Sequence, residues 1–591
     1  AEFRALLDEA ERSYGMFGHV DAGVLHVRPA LDMKDPEQAA KIRPITDQVV
    51  ELVHKYGGVL WGEHGKGLRS GYAPKFFGDL YPVLQQIKAL FDPYKQLNPG
   101  KIATPATLPN ATLLAVDDVA FRGDFDRQIF SSNWQQFDSA VYCNGNGACY
   151  NYDVDDAMCP SWKATRDRLH SPKGRASAIR EWLRLQNQAG VDLSQYQTPK
   201  GWLEHAKQFG QKLKFSWQQP RKKQSDYSHQ VYEALDGCLS CKSCAGQCPI
   251  KVNVPDFKSK FLHLYHSRYL RPIKDYAVAS LEYALPYAAK VPALYNGIMR
   301  QPWAQKLMEK TMGLSDIPLL AEGNWQELLN RYGAQVATPE TLSQLSSEQK
   351  QNSVVLVQDA FTRYFETPLW ADWLELLHQL DVRIFIAPFM PNGKPLHVHG
   401  FLPAFKKQAQ RHAQRLHQFS QQGVALIGID PAMTLVYRQE YQQALAPHTA
   451  VPTVLLPQEW LHQWLSAKGL NPKAPAATAD NTYYLLGHCT EKTTAPQAAA
   501  LWREVFAQFG LHLVNLASGC CGMAGTYGHE SQHQATSATI YQQSWQPIVA
   551  RHGASGRLLA TGYSCRSQVD RFSEQKIQHP LQVLKHHQPL H

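Results

Sequence analysis

The chain has 591 residues, 44% hydrophobic and 19% charged, which is too long for one core; at about 100–200 residues per domain, roughly three to five domains are expected. No run of about 18 apolar residues and no basic segment leading into an apolar one is visible, so neither a membrane span nor a secretory signal is expected. The net charge of +9, from 60 basic and 51 acidic residues, is dispersed, and the densest basic run, Arg221-Lys222-Lys223, is too short to expect a nucleic-acid partner. A protein of the cytoplasm, or one peripheral at the inner membrane, is the expectation.

In chain order, AEFRALLDEAERSYG predicts a helix that opens in mid-pattern, as a piece of a longer protein would. GHVDAGVLH follows at Gly18–His26. Val20, Val24 and Val27 favour strand, and Asp21-Ala22-Gly23 favours a turn. With Ala22-Gly23 as a two-residue hairpin loop, His19 and His26 face each other, their Cβ atoms about 5 Å apart. A slip of one residue would put them on opposite faces. In GGVLWGEHGKG a short apolar strand ends in glycine. Glu63 and His64 come next, on a loop whose backbone can approach a ligand closely. Two imidazoles and a carboxylate suit a divalent transition metal (Zn, Mn or Co) with open positions.

Eleven cysteines fall in three clusters, and clustered thiols without secretion bind metal more often than they pair. The first is CNGNGACYNYDVDDAMCPSW, with Cys143, Cys149 and Cys159. The second is GCLSCKSCAGQCPIKV, giving Cys238-x2-Cys241-x2-Cys244-x3-Cys248-Pro249, the spacing of a bacterial ferredoxin. Zinc is the weaker alternative, because zinc sites usually join two separated C-x2-C halves. By the ferredoxin crossing rule, Cys238, Cys241, Cys244 and Cys159 hold one complete [4Fe–4S] cluster. Cys143, Cys149 and Cys248 are then one thiolate short, which leaves open a three-iron cluster, a cube with a non-cysteine ligand, or no second cluster. Between the two motifs, HSPKGRASAIREWLRL predicts a helix with a basic first turn.

Residues 276–350 read as a helical connector broken by Pro and Gly, ending in SSEQKQNS (346–353), which reads as a linker. Beyond it an internal repeat appears. VVLVQDAF, RIFIAPFMPNGKP and VALIGIDPAM parallel YYLLGHCT, HLVNLASGCCGMA and RLLATGYSCR. Strands alternating with helices predict parallel sheets. In this register Pro391-Asn392-Gly393 stands where Cys520-Cys521-Gly522 does, and Pro431 stands for Cys565. Cys489, Cys520, Cys521 and Cys565 lie at strand ends, where open α/β sheets bind ligands, and could hold a further cluster.

Cys…CysCysGly…SerCys resembles the CCG domains of heterodisulfide-reductase-like and glycolate-oxidase-like iron–sulfur proteins, although one copy here lacks the cysteines and Gly562 replaces the first cysteine of the final pair. GHVDAGVLH, WGEHGKG and LFDPYKQLNPGKI resemble motifs of FAD-linked oxidases of the vanillyl-alcohol-oxidase type. That resemblance implies that His19, His26 and Glu63 are metal ligands and that His64 is the general base. Asp21, Ala22 and Val24 depart from the pattern, and Val24 cannot position substrate as the family's asparagine does. The order of parts is similar to that of the large bacterial FAD and iron–sulfur D-2-hydroxyglutarate dehydrogenases, with D-lactate dehydrogenases as neighbours. The implied fold is a multidomain α+β and α/β chain. It would comprise a FAD-oxidase C-terminal part (1–105), a mostly helical ferredoxin-like domain (106–275), the connector, a cysteine-free CCG-like repeat (351–450) and a CCG domain (451–591).

The implied reaction removes a hydroxyl proton from a D-2-hydroxy acid at His64 and passes hydride from C2 to FAD. FAD would be bound mostly by an N-terminal part of the same protein. Iron–sulfur centres would lead electrons singly to a quinone or a carrier protein. Arg28, Lys66 and Arg69 could hold a distal carboxylate, and a homo-oligomer is expected. The rival readings are an electron-transfer subunit without substrate, a heterodisulfide-reductase-like catalyst, and a zinc-held scaffold.

Overall fold

The computed structural model describes the chain except residues 11–12, 194–195, 197–198, 200, 219–225, 448, 471–474 and 591 and the side chains of residues 205 and 218. The basic run Arg221-Lys222-Lys223 lies outside the described residues. Two compact units form: Ala1–Gln135 with Leu183–Asp192, and Gln136–Trp182 with Leu193–His591.

In the first unit a helix, Glu2–Glu9, precedes an antiparallel pair, β1 (Tyr14–His19) and β2 (Val24–Pro29). The hairpin differs from expectation. His19 pairs with Val24, and His26 pairs with Phe17, so the connection is the four residues 20–23 rather than Ala22-Gly23. Gly23 takes the left-handed conformation that closes this longer turn, with φ +63°. The stretch before Glu63 also differs. Residues 57–62 form no strand, since no strand among the described residues supplies a ladder to them. They leave the helix Ile42–Lys55 as irregular chain.

The second unit is built on two parallel sheets. One holds β3 (Gln335–Val336), β4 (Ser353–Val357), β5 (Arg383–Ile386) and β6 (Ala425–Gly428) in the order β3-β5-β4-β6. The other holds β7 (Thr482–Leu486), β8 (His512–Asn515) and β9 (Leu558–Ala560) in the order β8-β7-β9. In both, the first repeated strand is central, flanked by the second and third. Their near-continuous apolar composition suits sheets covered on both faces. The chain enters a helix just after β4, β6 and β7, and the side chains of Asp359, Asp430 and His488 cap the exposed N–H groups there. Gly393 and Gly522 hold matching left-handed turns after β5 and β8, with φ +83° and +94°.

One apolar core runs under both sheets. It takes Leu356, Ile384 and Ile427 from one, Leu485, Leu513 and Leu559 from the other, and Trp370, Trp373, Trp460 and Trp502 from covering helices. The expected linker at 346–353 is a helix, Ser347–Gln351, leading into β4. Its Ser346 and Gln349 close a reciprocal cap, Gln349 N–H donating to Ser346 Oγ at 3.2 Å and Ser346 N–H to Gln349 Oε1 at 2.9 Å. The connector is helical at Ile273–Ala288, Pro292–Met299, Pro302–Met312 and Trp325–Arg331. Among the described residues no helix is long and apolar enough to cross a membrane.

Candidate functional site

Strand alternation puts Phe17 and His19 on one face of β1. Because His26 pairs with Phe17, it lies diagonally across from His19 on that same face. The register shift of two residues therefore keeps the imidazoles together, with ring centres 5.2 Å apart. The loop carrying Glu63 reaches them because Gly62 has no side chain; a Cβ there would lie 2.6 Å from Val24 Cγ1. Val24 thus seats the loop.

Glu63 Oε1 lies 3.0 Å from His26 Nε2, 3.5 Å from His19 Nε2 and 3.2 Å from His64 Nε2. One ligand atom each from His19, His26 and Glu63 falls within 4.8 Å of the others. His26 Nε2 is buried and makes no hydrogen bond despite its short contact to the carboxylate. A buried nitrogen without a proton partner, facing an oxygen at this distance, fits a shared ion better than an ion pair. A backbone N–H bond at Glu63 itself, and then the imidazoles of His26, His64 and His19, hold the Glu63 carboxyl below its ordinary range. His64 is the most open of the four, at 72% exposure against 17% for His26.

Arg28 follows His26 on the same strand face, and its guanidinium stands 5.1 Å from the ring centre of Phe17, itself stacked on His26 at 5.7 Å. The alternation of the strand marks Phe17, although no motif singles it out. Lys66 is directed elsewhere, over Trp61 and Phe77 at 4.6 and 5.0 Å. Arg69 is exposed in the turn Gly67–Tyr72.

The thiols gather in the second unit. Cys159 interacts with Cys238 and Cys241, and Cys244 with all three. Burial pushes the Cys159 and Cys241 thiols up to about 12. Cys143 interacts with Cys149, which lies in reach of the Lys173 N–H at the start of the helix Pro172–Gln188. Cys489, Cys520, Cys521 and Cys565 form a chain of neighbouring thiols, and Cys241 reaches toward Cys489 and Cys520. Among the described residues no three cysteine sulfurs come within 4.8 Å of one another.

Gly562 also gains a reason: a Cβ there would lie 2.3 Å from His488 Cδ2, so an imidazole occupies that space. Thr490 N–H donates to His488 Nδ1 at 3.2 Å. A cavity of about 1380 Å³, counting its open mouth, connects Cys238 and Cys241 with Cys489, Cys520, Cys521 and His488.

Residues 1–102 match the family described as FAD linked oxidases, C-terminal domain. Over 586 residues the chain is 56% identical to D-2-hydroxyglutarate dehydrogenase of Pseudomonas putida, an alignment covering 99% of this chain and 57% of that protein. The chain is similar, nearly end to end, to D-2-hydroxyglutarate dehydrogenases. The Escherichia coli K12 protein of that name is 47% identical over 587 residues, again 99% of this chain and 57% of the relative. A D-lactate dehydrogenase of Anaerostipes hadrus is 32% identical over only 102 residues, 17% of this chain and 22% of its own. The chain thus spans about 57% of the length of the curated relatives that it matches throughout. No solved structure matches significantly.

Proposed function

We propose that the chain serves a flavin- and iron–sulfur-dependent dehydrogenase that oxidises D-2-hydroxyglutarate to 2-oxoglutarate and passes the electrons to an external acceptor. The convergence of His19, His26 and Glu63 around a buried, unbonded nitrogen carries this reading. The similarity along 99% of the chain supports this substrate over lactate, whose enzyme aligns over only 102 residues.

His19, His26 and Glu63 would hold the divalent ion. When bound, the ion supplies Lewis-acid polarisation of a hydroxyl oxygen, and the flavin accepts hydride. His64 takes the hydroxyl proton at Nε2, the nitrogen turned toward Glu63. A neutral imidazole can accept such a proton as a general base. Arg28 offers a planar cation on the same strand face for the second carboxylate of the substrate. Cys238, Cys241, Cys244 and Cys159 would hold one [4Fe–4S] cluster, and Cys489, Cys520, Cys521 and Cys565 a further one. In this reading the ferredoxin-like and CCG-like parts occupy 106–275 and 351–591.

The test is turnover of D-2-hydroxy acids by the intact flavin-loaded protein with an artificial electron acceptor. D-2-hydroxyglutarate should be oxidised in preference to D-lactate. A chelator should abolish turnover, and zinc, manganese or cobalt should restore it. Full activity in protein stripped of divalent metal would refute the assignment of His19, His26 and Glu63.

A further inference from the structure

Arg175 lies in the first turn of the helix Pro172–Gln188 and is 1% exposed. Its Nε donates to Ala234 O at 2.7 Å and its Nη2 to Ser161 Oγ at 3.0 Å. Nη2 also stands 3.4 Å from His170 Nδ1, and Nη1 is 3.9 Å from Cys159 Sγ. None of the four partners is a carboxylate. Among the described residues no carboxylate oxygen comes within 4.0 Å of the guanidinium.

An arginine stays charged at any pH a protein survives, and a buried charge without a counter-charge is costly. The neighbouring sulfur of Cys159 supplies one when it is a thiolate bound to metal. Four thiolates on a [4Fe–4S] core carry a net charge of about −2, and about −3 after one electron is added. A cation this close to one sulfur favours the more negative state.

We propose that Arg175 is the buried counter-charge of an anionic iron–sulfur group on Cys159, Cys238, Cys241 and Cys244, and that it raises the reduction potential of that group. It is a positioning residue acting through Cys159 Sγ, and the inference rests on the reading that these four thiols hold a cluster. Its three other hydrogen-bonding neighbours account for its orientation. They do not account for its charge, since a neutral amide could reach Ala234 O.

The test is a redox titration followed by electron paramagnetic resonance, on the intact protein purified without oxygen, with iron counted per chain. Arg175→Met should disfavour reduction at least tenfold, a fall of 59 mV for one electron, with iron retained. Arg175→Lys should restore more than half of that fall. Arg175→Gln, which keeps a donor for Ala234 O, should behave as Arg175→Met and stands in for it if that variant does not fold. Loss of iron in the neutral variants but not in Arg175→Lys would also support the counter-charge. Loss in all three, an unmoved potential with iron retained, or a Lys variant as low as the neutral ones would overturn it. A wild-type protein without iron would instead remove the cluster reading, and the iron assay tells the two failures apart.

Discussion

Gly62→Ala tests how the metal ligands are brought together. The added methyl would sit 2.6, 2.9 and 3.3 Å from Cγ1, Cγ2 and Cβ of Val24. Carbon atoms pack best at about 3.5–4.0 Å, so the loop must recede by about 1 Å. Glu63 follows Gly62 directly, and its carboxylate would be drawn from His26 Nε2, now 3.0 Å away. Metal sites tolerate errors of about 0.2 Å in ligand distance, so a displacement five times larger should weaken metal binding at least tenfold, or about 1.4 kcal/mol. Val24→Ala removes the obstructing carbons, so the double variant should recover most of the affinity. The measurement is a cobalt titration followed by visible absorption, with circular dichroism to confirm folding. Wild-type cobalt affinity in Gly62→Ala would show that the loop is not seated on Val24 as described.

Three further expectations follow from the site and its surroundings. His64→Ala should lower turnover by 10²–10⁴-fold while metal content is unchanged; turnover near wild type would remove His64 as the base. Burial raises the Glu282 carboxyl to about 7, against hydrogen bonds from the Asn392 and Gly393 N–H groups. A carboxyl raised in the native state keeps its full contribution below about pH 4.3 and loses it as pH climbs through 7. Glu282→Gln should therefore be more stable than wild type by up to about 3 kcal/mol at pH 8 and gain nothing at pH 4; parallel stability curves across that range would contradict this. Lys242, between Cys241 and Cys244, pairs with buried Glu440 at 2.5 Å, and Glu440 Oε2 has no hydrogen-bond partner. Lys242→Met should cost about 3–5 kcal/mol in urea unfolding, and Lys242→Met with Glu440→Leu should recover most of it. A double variant as unstable as the single one would refute the stranded-charge account.

The chemistry-bearing residue types stand out in the sequence because few other arrangements need them. His19, His26, Glu63 and His64 come from two short motifs, and the structure gathers them. Register was not readable, because Asp21-Ala22-Gly23 is compatible with either a two- or a four-residue connection. Only the pairing of His26 with Phe17 decides it. The meeting of Cys159 with the 238–244 loop follows from the ferredoxin spacing. Arg175 belongs to no motif, and its meaning appears only when burial and the missing carboxylate are seen together. Lys66 reads as a free cation beside a motif, yet Trp61 and Phe77 claim it. The parallel sheets were implied by strands alternating with helices, whereas their strand order appears only in the structure. The helix at 347–351 was hidden by a polar composition whose capping signal, Ser346 and Gln349, is easily taken for a linker.

The core common to both sheets bears on how this molecule could be shortened or rearranged. Trp373 and Trp460 meet at 6.2 Å across the two halves, and Lys585 near the end of the chain reaches back to Asp372 at 2.6 Å. A cut after residue 450 would bare Trp370, Trp373 and Leu377 to water, and the remnant would aggregate instead of surviving as a smaller protein. The cysteine-free half is thus no dispensable appendage: it is the footing that keeps its thiol-bearing twin upright, and any graft of one into another protein must carry both.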